Sequence, residues 1–258
     1  MNTTQINAFK VDLTTWIMQI KQVETLQRIL DLKKELEKPV VLPTKPKGRY
    51  TYQDIVAIAN QHPKDKKWTY TELVRVFPAD LKVKVEILNN KLIIMPAPSL
   101  IHQNISNDLS YEMTHFVKQN KLGKIFCAPT DARFDEDNVE QPDILFIAVT
   151  RYDILEEGYV NGAPDIVVEI ISPANKKQER EEKHALYERT RVREYWTVFP
   201  KKRTIKVETL EEGKFQTYSE GKKAGEIRSK VLEGFSIKIE DIIPESLFEK
   251  TDKKKKKD

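Results

Sequence analysis

The chain carries one cysteine, Cys127, in 258 residues. Intramolecular disulfides are therefore impossible, and a cysteine-rich zinc site is excluded. His62, His115 and His184 do not stand at zinc-binding spacing either. Glycine is scarce, with 8 in all, and neither a GxGxxG nor a phosphate-loop lysine motif occurs, so a nucleotide-binding loop is not expected. No serine or cysteine stands in a nucleophile arrangement. No stretch approaches the roughly 18 to 20 apolar residues of a membrane span. The opening "MNTTQINAFKVDL" lacks the basic-then-apolar pattern of a secretory signal. The expectation is a cytoplasmic protein with no membrane association.

What is present is charge, and it is unevenly spread. Charged residues make up 33 % of the chain against 39 % hydrophobic, which still allows a buried core. The net charge of +4 hides three regions. The last seven residues contribute +3, and residues 173–230 contribute +6, with 16 Lys and Arg against 10 Asp and Glu. The remainder is −5. A basic surface beside carboxylates suits a polyanionic substrate; a well-solvated helix and hairpin would give the same count.

Periodicity lays out the elements. Leu13, Trp16, Ile17 and Ile20, then Leu26, Ile29, Leu30 and Leu36, recur at helical spacing, with a break near 21–24. "KPVVLPTKPKG" (38–48) holds three prolines and a glycine and reads as a linker. The organisation expected is a helical appendage over 1–40, a linker over 41–49, one domain over 50–248, and a disordered basic tail over 249–258. An appendage this small cannot build its own core, so it should pack on the main domain or on a second subunit. "YTYQDIVAI" and "WTYTELVRV" each read as a turn leading into a short helix. Val83, Val85 and Ile87 alternate as a strand, and Asn89-Asn90 tolerates the left-handed angles of a hairpin turn. Ser99 reads as the N-cap of a helix over 100–119 whose inner face carries Ile101, Ile105, Leu109, Met113 and Phe116. Strands follow at 124–134, 142–149 and 164–171, then a helix at 177–190, a strand at 194–199 and a final hairpin. This order gives a mixed α/β sheet flanked by helices.

Glu169 interrupts the apolar run "IVVEII". A lone carboxylate there costs several kcal/mol unless it is neutralised, paired or bound to a metal. Asp165 shares its strand face but lies about 13 Å away along the strand, too far to share one cation. Asp143, opening "PDILFIAV", is the best second acid. If the two strands run antiparallel, Asp143 meets residues 169–171; if parallel, it falls beside Asp165 and the site is lost. The connection over 150–164 permits either. Lys183, in the following helix on one face with Arg180, Leu186 and Tyr187, can reach back over the strand end. Two acids and a lysine can hydrolyse a phosphodiester. The acids hold Mg²⁺, or Mn²⁺ in its place, and the lysine orients water or stabilises developing charge. Tyr187 could contact the lysine or a phosphate, and His102, just past an N-cap, could face the site. Glu86 shares strand parity with Lys82 and Lys84, which is also the pattern of a solvated face.

The blocks "QPDILFIAV", "GAPDIVVEIISPAN" and "KHALYERTRVREYWTV", with "MPAPSLIHQ" before them, resemble the Uma-two family of restriction endonuclease-type proteins, built on the PD-(D/E)xK nuclease core. The resemblance runs from about 50 to 243. It implies a restriction-endonuclease-like α/β fold and a Mg²⁺-dependent endonuclease acting on DNA; homodimerisation is expected because cutting both strands of a duplex is simplest with two related sites. The resemblance also implies that Asp143 and Glu169 are the metal carboxylates and that Glu86 is a further acid near the site. Ile171 stands where the PD-(D/E)xK pattern has its lysine, and Lys183 matches a lysine displaced to the next helix. The second reading is a catalytically inactive protein of this fold that binds nucleic acid or a protein partner, the partner meeting residues 1–40.

Overall fold

A computed structural model describes residues 12–37, 50–77, 83–173 and 175–248. The chain divides into two units, Met1–Leu42 and Pro43–Asp258. In the first, helix α1 is described over 12–19 and α2 spans Val23–Glu37. The break expected near 21–24 falls at 20–22. The linker and the basic tail lie outside the described residues. Among the described residues, no helix is long and apolar enough to cross a membrane.

The second unit starts with two short capped helices. In α3 (Tyr52–Ala59) the Thr51 hydroxyl accepts from the Asp54 amide, and the Asp54 carboxylate accepts from the Thr51 amide, which satisfies two otherwise orphaned donors. Thr69 caps α4 (Tyr70–Val76) in the same way on one side. Strands β1 (Lys84–Leu88) and β2 (Lys91–Met95) form the expected hairpin. Asn89 and Asn90 take φ of 50° and 61°, the left-handed pair such a turn requires. Ser99 caps α5 (Leu100–Gln119), its Oγ accepting from the His102 amide at 3.2 Å.

Two large sheets and a two-stranded ribbon, Glu226–Arg228 with Ser236–Lys238, stand where one sheet was expected. The larger has the order β11 (Lys214–Lys222), β10 (Thr204–Glu211), β9 (Glu194–Phe199), β8 (Ile166–Ile170), β6 (Ile144–Ala148), β3 (Gly123–Cys127). The smaller has β2 and β1, then β5 (Asn138–Glu140), β4 (Asp131–Asp135) and β7 (Tyr159–Asn161). The segment 124–134, expected as a single strand, is split between them. Pro129 stands at the break; it has no amide hydrogen for a central ladder, and β3 and β4 on either side of it join different sheets.

The larger sheet is covered on both faces. Ile144, Phe146, Ile166, Val168 and Ile170 pack with Ile105, Leu109 and Met113 of α5. Val167 and Tyr195 face Leu186 and Tyr187 of α6 (Lys177–Arg189). Leu145 and Ile147 join Ala132 and Val160 of the smaller sheet. Each buried aliphatic side chain contributes about 1.5–3 kcal/mol. A one-residue slip of β8 would exchange its two faces and turn Glu169 into the α5 core, so packing fixes the register. Strand β6 pairs β8 antiparallel, Ile144 opposite Val168. After the α6 crossover, β9 pairs β8 in parallel.

Candidate active site

The antiparallel register of β6 and β8 sets Asp143, one residue before β6, opposite Glu169. Directly opposed residues in such a ladder have Cβ atoms about 4.5–5.5 Å apart. Asp143 Oδ2 accepts from the Ile170 amide at 2.7 Å and lies 3.1 Å from His102 Nε2. Glu169 Oε1 accepts from the Tyr187 hydroxyl at 2.7 Å and from the Lys183 ammonium at 3.3 Å. Each carboxylate is thus pinned through one oxygen. Among the described residues no hydrogen bond reaches the other, Asp143 Oδ1 or Glu169 Oε2. Asp165 is buried elsewhere, between Arg151 at 3.2 Å and Arg193 at 3.3 Å.

Lys183 is the hub beneath the pair. Its ammonium is 2.8 Å from Glu86 Oε2, 2.8 Å from Glu140 Oε2 and 3.3 Å from Glu169 Oε1, and the residue is only 4 % exposed. Glu86 and Glu140 are fully buried. Glu86 is not on a solvated face, because β1 is paired on both sides, by β2 and by β5, and both of its faces are covered. Lys84 lies 3.2 Å from Glu86 Oε1 and 3.8 Å from Asp143 Oδ1. The Gln141 amide also donates to Glu86 Oε1, at 2.9 Å.

These contacts shift the titration of the buried groups. Burial alone would lower Lys183, but Glu140, Glu169 and Glu86 outweigh it and hold the amine well above its ordinary range. Lys84 is raised in the same way by Glu86 and Asp143. Both stay ammonium ions and cannot serve as proton acceptors. Burial would raise Asp143, yet Lys84, His102 and the Ile170 amide hold it below the usual carboxylate range. Lys183 and Lys84 likewise overcome burial to lower Glu86. Glu140 goes the other way. Burial pushes it well up, against the opposing pull of the Lys183 ammonium 2.8 Å away. Burial and Glu169 raise Tyr187 well above the usual phenol value, so it remains a hydrogen-bond donor.

Asp143 and Glu169 open into a cleft of about 1130 Å³, which Lys84, His102, Gln141, Ser172 and Asn175 also line. Among the described residues, no group of three or more His, Cys, Asp or Glu side chains is arranged to hold an ion. That argues against an all-protein cage. Two carboxylates, each with one oxygen outside any hydrogen bond, fit a hard divalent cation such as Mg²⁺, which keeps several waters and takes one or two carboxylates plus substrate oxygens.

All six residues singled out in the sequence converge here: Glu86, His102, Asp143, Glu169, Lys183 and Tyr187. Lys84 and Glu140 were missed. The spacing Lys84-x-Glu86 does place an amine and a carboxylate on one strand face, which is a usable signal for an internal ion pair. Glu140 ends a three-residue strand and has no periodic context to mark it.

The family match to known proteins falls within the second unit. A family model described as "Uma2: Putative restriction endonuclease" matches residues 70–240, a span holding every residue of the site. A crystal structure described as "a putative nuclease belonging to DUF820", from Anabaena variabilis, is similar with 17 % identity and a TM-score of 0.52; the match covers 75 % of this chain and 97 % of that one. At that identity the likeness shows a shared α/β fold. No curated protein matches the chain.

Proposed function

Since the chain belongs to the Uma2 restriction endonuclease family, we propose that it is a metal-dependent endonuclease that hydrolyses phosphodiester bonds in DNA. The observation that carries this reading is the opposition of Asp143 and Glu169, each hydrogen-bonded through one oxygen only and both lining one cleft. These two carboxylates would hold Mg²⁺, with Mn²⁺ as a substitute. Such an ion supplies Lewis-acid neutralisation of phosphate charge and makes water acidic enough to attack near neutral pH.

The protein's own groups divide the remaining work. Lys183 and Tyr187 hold Glu169 Oε1 and so turn Oε2 outward. His102 and the Ile170 amide do the same for Asp143. Glu86 anchors Lys183 through Oε2 and Lys84 through Oε1. Lys84 is the ammonium that lines the cleft, so it meets the phosphate and stabilises charge that grows on it in the transition state. Cutting both strands of a duplex is simplest with two copies related by a twofold axis, and light scattering of the purified protein tests for that dimer.

Plasmid DNA with Mg²⁺ is the direct assay. Asp143→Asn and Glu169→Gln should each lower nicking by about 100-fold or more, and Lys84→Ala should also lower it. Equal nicking by wild type and Glu169→Gln would overturn the assignment. One observation favours a second reading, a fold retained for binding: Leu13, Trp16 and Leu30 on the N-terminal helices are 42 %, 51 % and 49 % exposed, which suits a protein partner. Under that reading Mn²⁺ titration calorimetry shows no heat that Asp143→Asn abolishes.

A further inference from the structure

A second cleft lies on the α6 face of the larger sheet. It measures about 320 Å³ and is lined by Lys177, Arg180 and His184 of α6 with Thr197 and Phe199 of β9 and Lys206 of β10. That is the lower end of the size range of ligand sites. Residues 177, 180 and 184 form a stripe beside the one that carries Lys183 and Tyr187.

The register ties this cleft to the carboxylates. Asp143 stands opposite Glu169, Glu169 pairs with Thr197, and Thr197 pairs with Lys206. One row therefore crosses four strands on a single face. Its acidic half opens into the first cleft and its other half into the second. At about 4.8 Å per strand, the Lys206 backbone lies roughly 10 Å from that of Glu169. Arg180 bridges the two clefts: its Nη1 donates to the carbonyl of Asn175 at 3.1 Å, and Asn175 lines the first cleft.

Charge favours an anion there. Two glutamates of this cleft are already answered from within it. Glu208 meets Lys206 at 2.7 Å and His184 at 3.4 Å, and Glu181 meets Lys177 at 3.5 Å. Arg180 is the surplus cation. Among the described residues its guanidinium makes that single hydrogen bond, out of five possible N–H donors.

We propose that this second cleft is a phosphate subsite, in which Arg180 holds a backbone phosphate flanking the one that reacts at Asp143 and Glu169, while Lys206 keeps the neighbouring Glu208 charge answered. The proposal rests on the nuclease reading above. Its test is fluorescence anisotropy with labelled single-stranded and duplex oligonucleotides, in EDTA, over a salt series. Arg180→Ala and Lys206→Ala, on different elements, should each weaken binding by about 5- to 10-fold at low salt. The double variant should flatten the plot of log affinity against log salt by about one to two. In cleavage, KM should rise with kcat held, and Arg180→Lys should restore part of the loss. Melting curves confirm that each variant is folded, and Lys206→Ala gives an independent reading if Arg180→Ala disturbs the Asn175 loop. A double variant that binds within twofold of wild type, with the same salt slope, would overturn the subsite while leaving a nuclease inactivated by Glu169→Gln intact. Wild-type protein that binds neither oligonucleotide and cuts no plasmid would remove the nuclease reading and the subsite together.

Discussion

Three glutamates converge on the one ammonium of Lys183. Taking away a partner of a buried ionic cluster leaves uncompensated charge and costs about 3–5 kcal/mol. Lys183→Met should therefore lower stability by about that amount in urea denaturation at pH 7. Glu140 tests the same cluster with the opposite sign. Burial holds its folded-state pKa well above the ordinary 4.5, so the native state keeps a proton that the unfolded chain gives up. Its contribution to stability is present below about pH 4.5 and is lost as pH rises toward the folded value. Glu140→Gln removes that loss. The variant should be more stable than wild type at pH 8 and by a smaller margin at pH 5, measured as urea midpoints. A variant less stable at pH 8 would mean that Glu140 is ionised and paired with Lys183. This cluster was only half legible in the sequence. Glu169 stood out because it breaks an apolar run. Lys84 did not, because its alternation with Lys82 matches a solvated strand, and only the fold brings Glu86 and Asp143 to its ammonium.

Elements deliver these side chains to one place, and α5 does so through its first turn. The Ser99 hydroxyl accepts from the amide of His102, the residue whose ring meets Asp143. Ser99→Ala should cost about 0.5–2 kcal/mol of stability. It should also loosen the turn that orients Asp143, weakening Mn²⁺ affinity severalfold by calorimetry while His102 itself is unchanged. Long periodic elements were readable from sequence: α5 runs Leu100–Gln119 and β9 Glu194–Phe199, close to the expected spans. Short ones were not. Strands β5 and β7 have three residues each, too few to show alternation, and an apolar run through Pro129 conceals a change of sheet. Strand direction lay beyond the sequence altogether. The connection over 150–164 allowed both orientations, and the packing of β6 against β8 chose the one that brings Asp143 to Glu169.

At the scale of the whole chain, the site and the core occupy the same unit. Every residue placed in the site, and every residue of the clusters that cover the two sheets, lies within Pro43–Asp258. Among the residues whose burial is described, the buried hydrophobics begin at Tyr50, and none lies within 12–31. A stability that scales with buried apolar area therefore draws little on residues 12–31. A chain starting at Pro43 should fold cooperatively, with stability within about 1 kcal/mol of the full chain. For a unit of this size that is a shift of about 2–4 °C in Tm, readable by calorimetry. It should also keep its Mn²⁺ affinity, because Asp143, Glu169 and the groups that pin them are all retained. A truncated chain that melts far lower, or loses the metal, would show that the N-terminal helices complete the core or the site. If it folds and binds metal but no longer cuts DNA, the helices serve the substrate or the second copy, and comparing the mass of the two chains in solution would tell which.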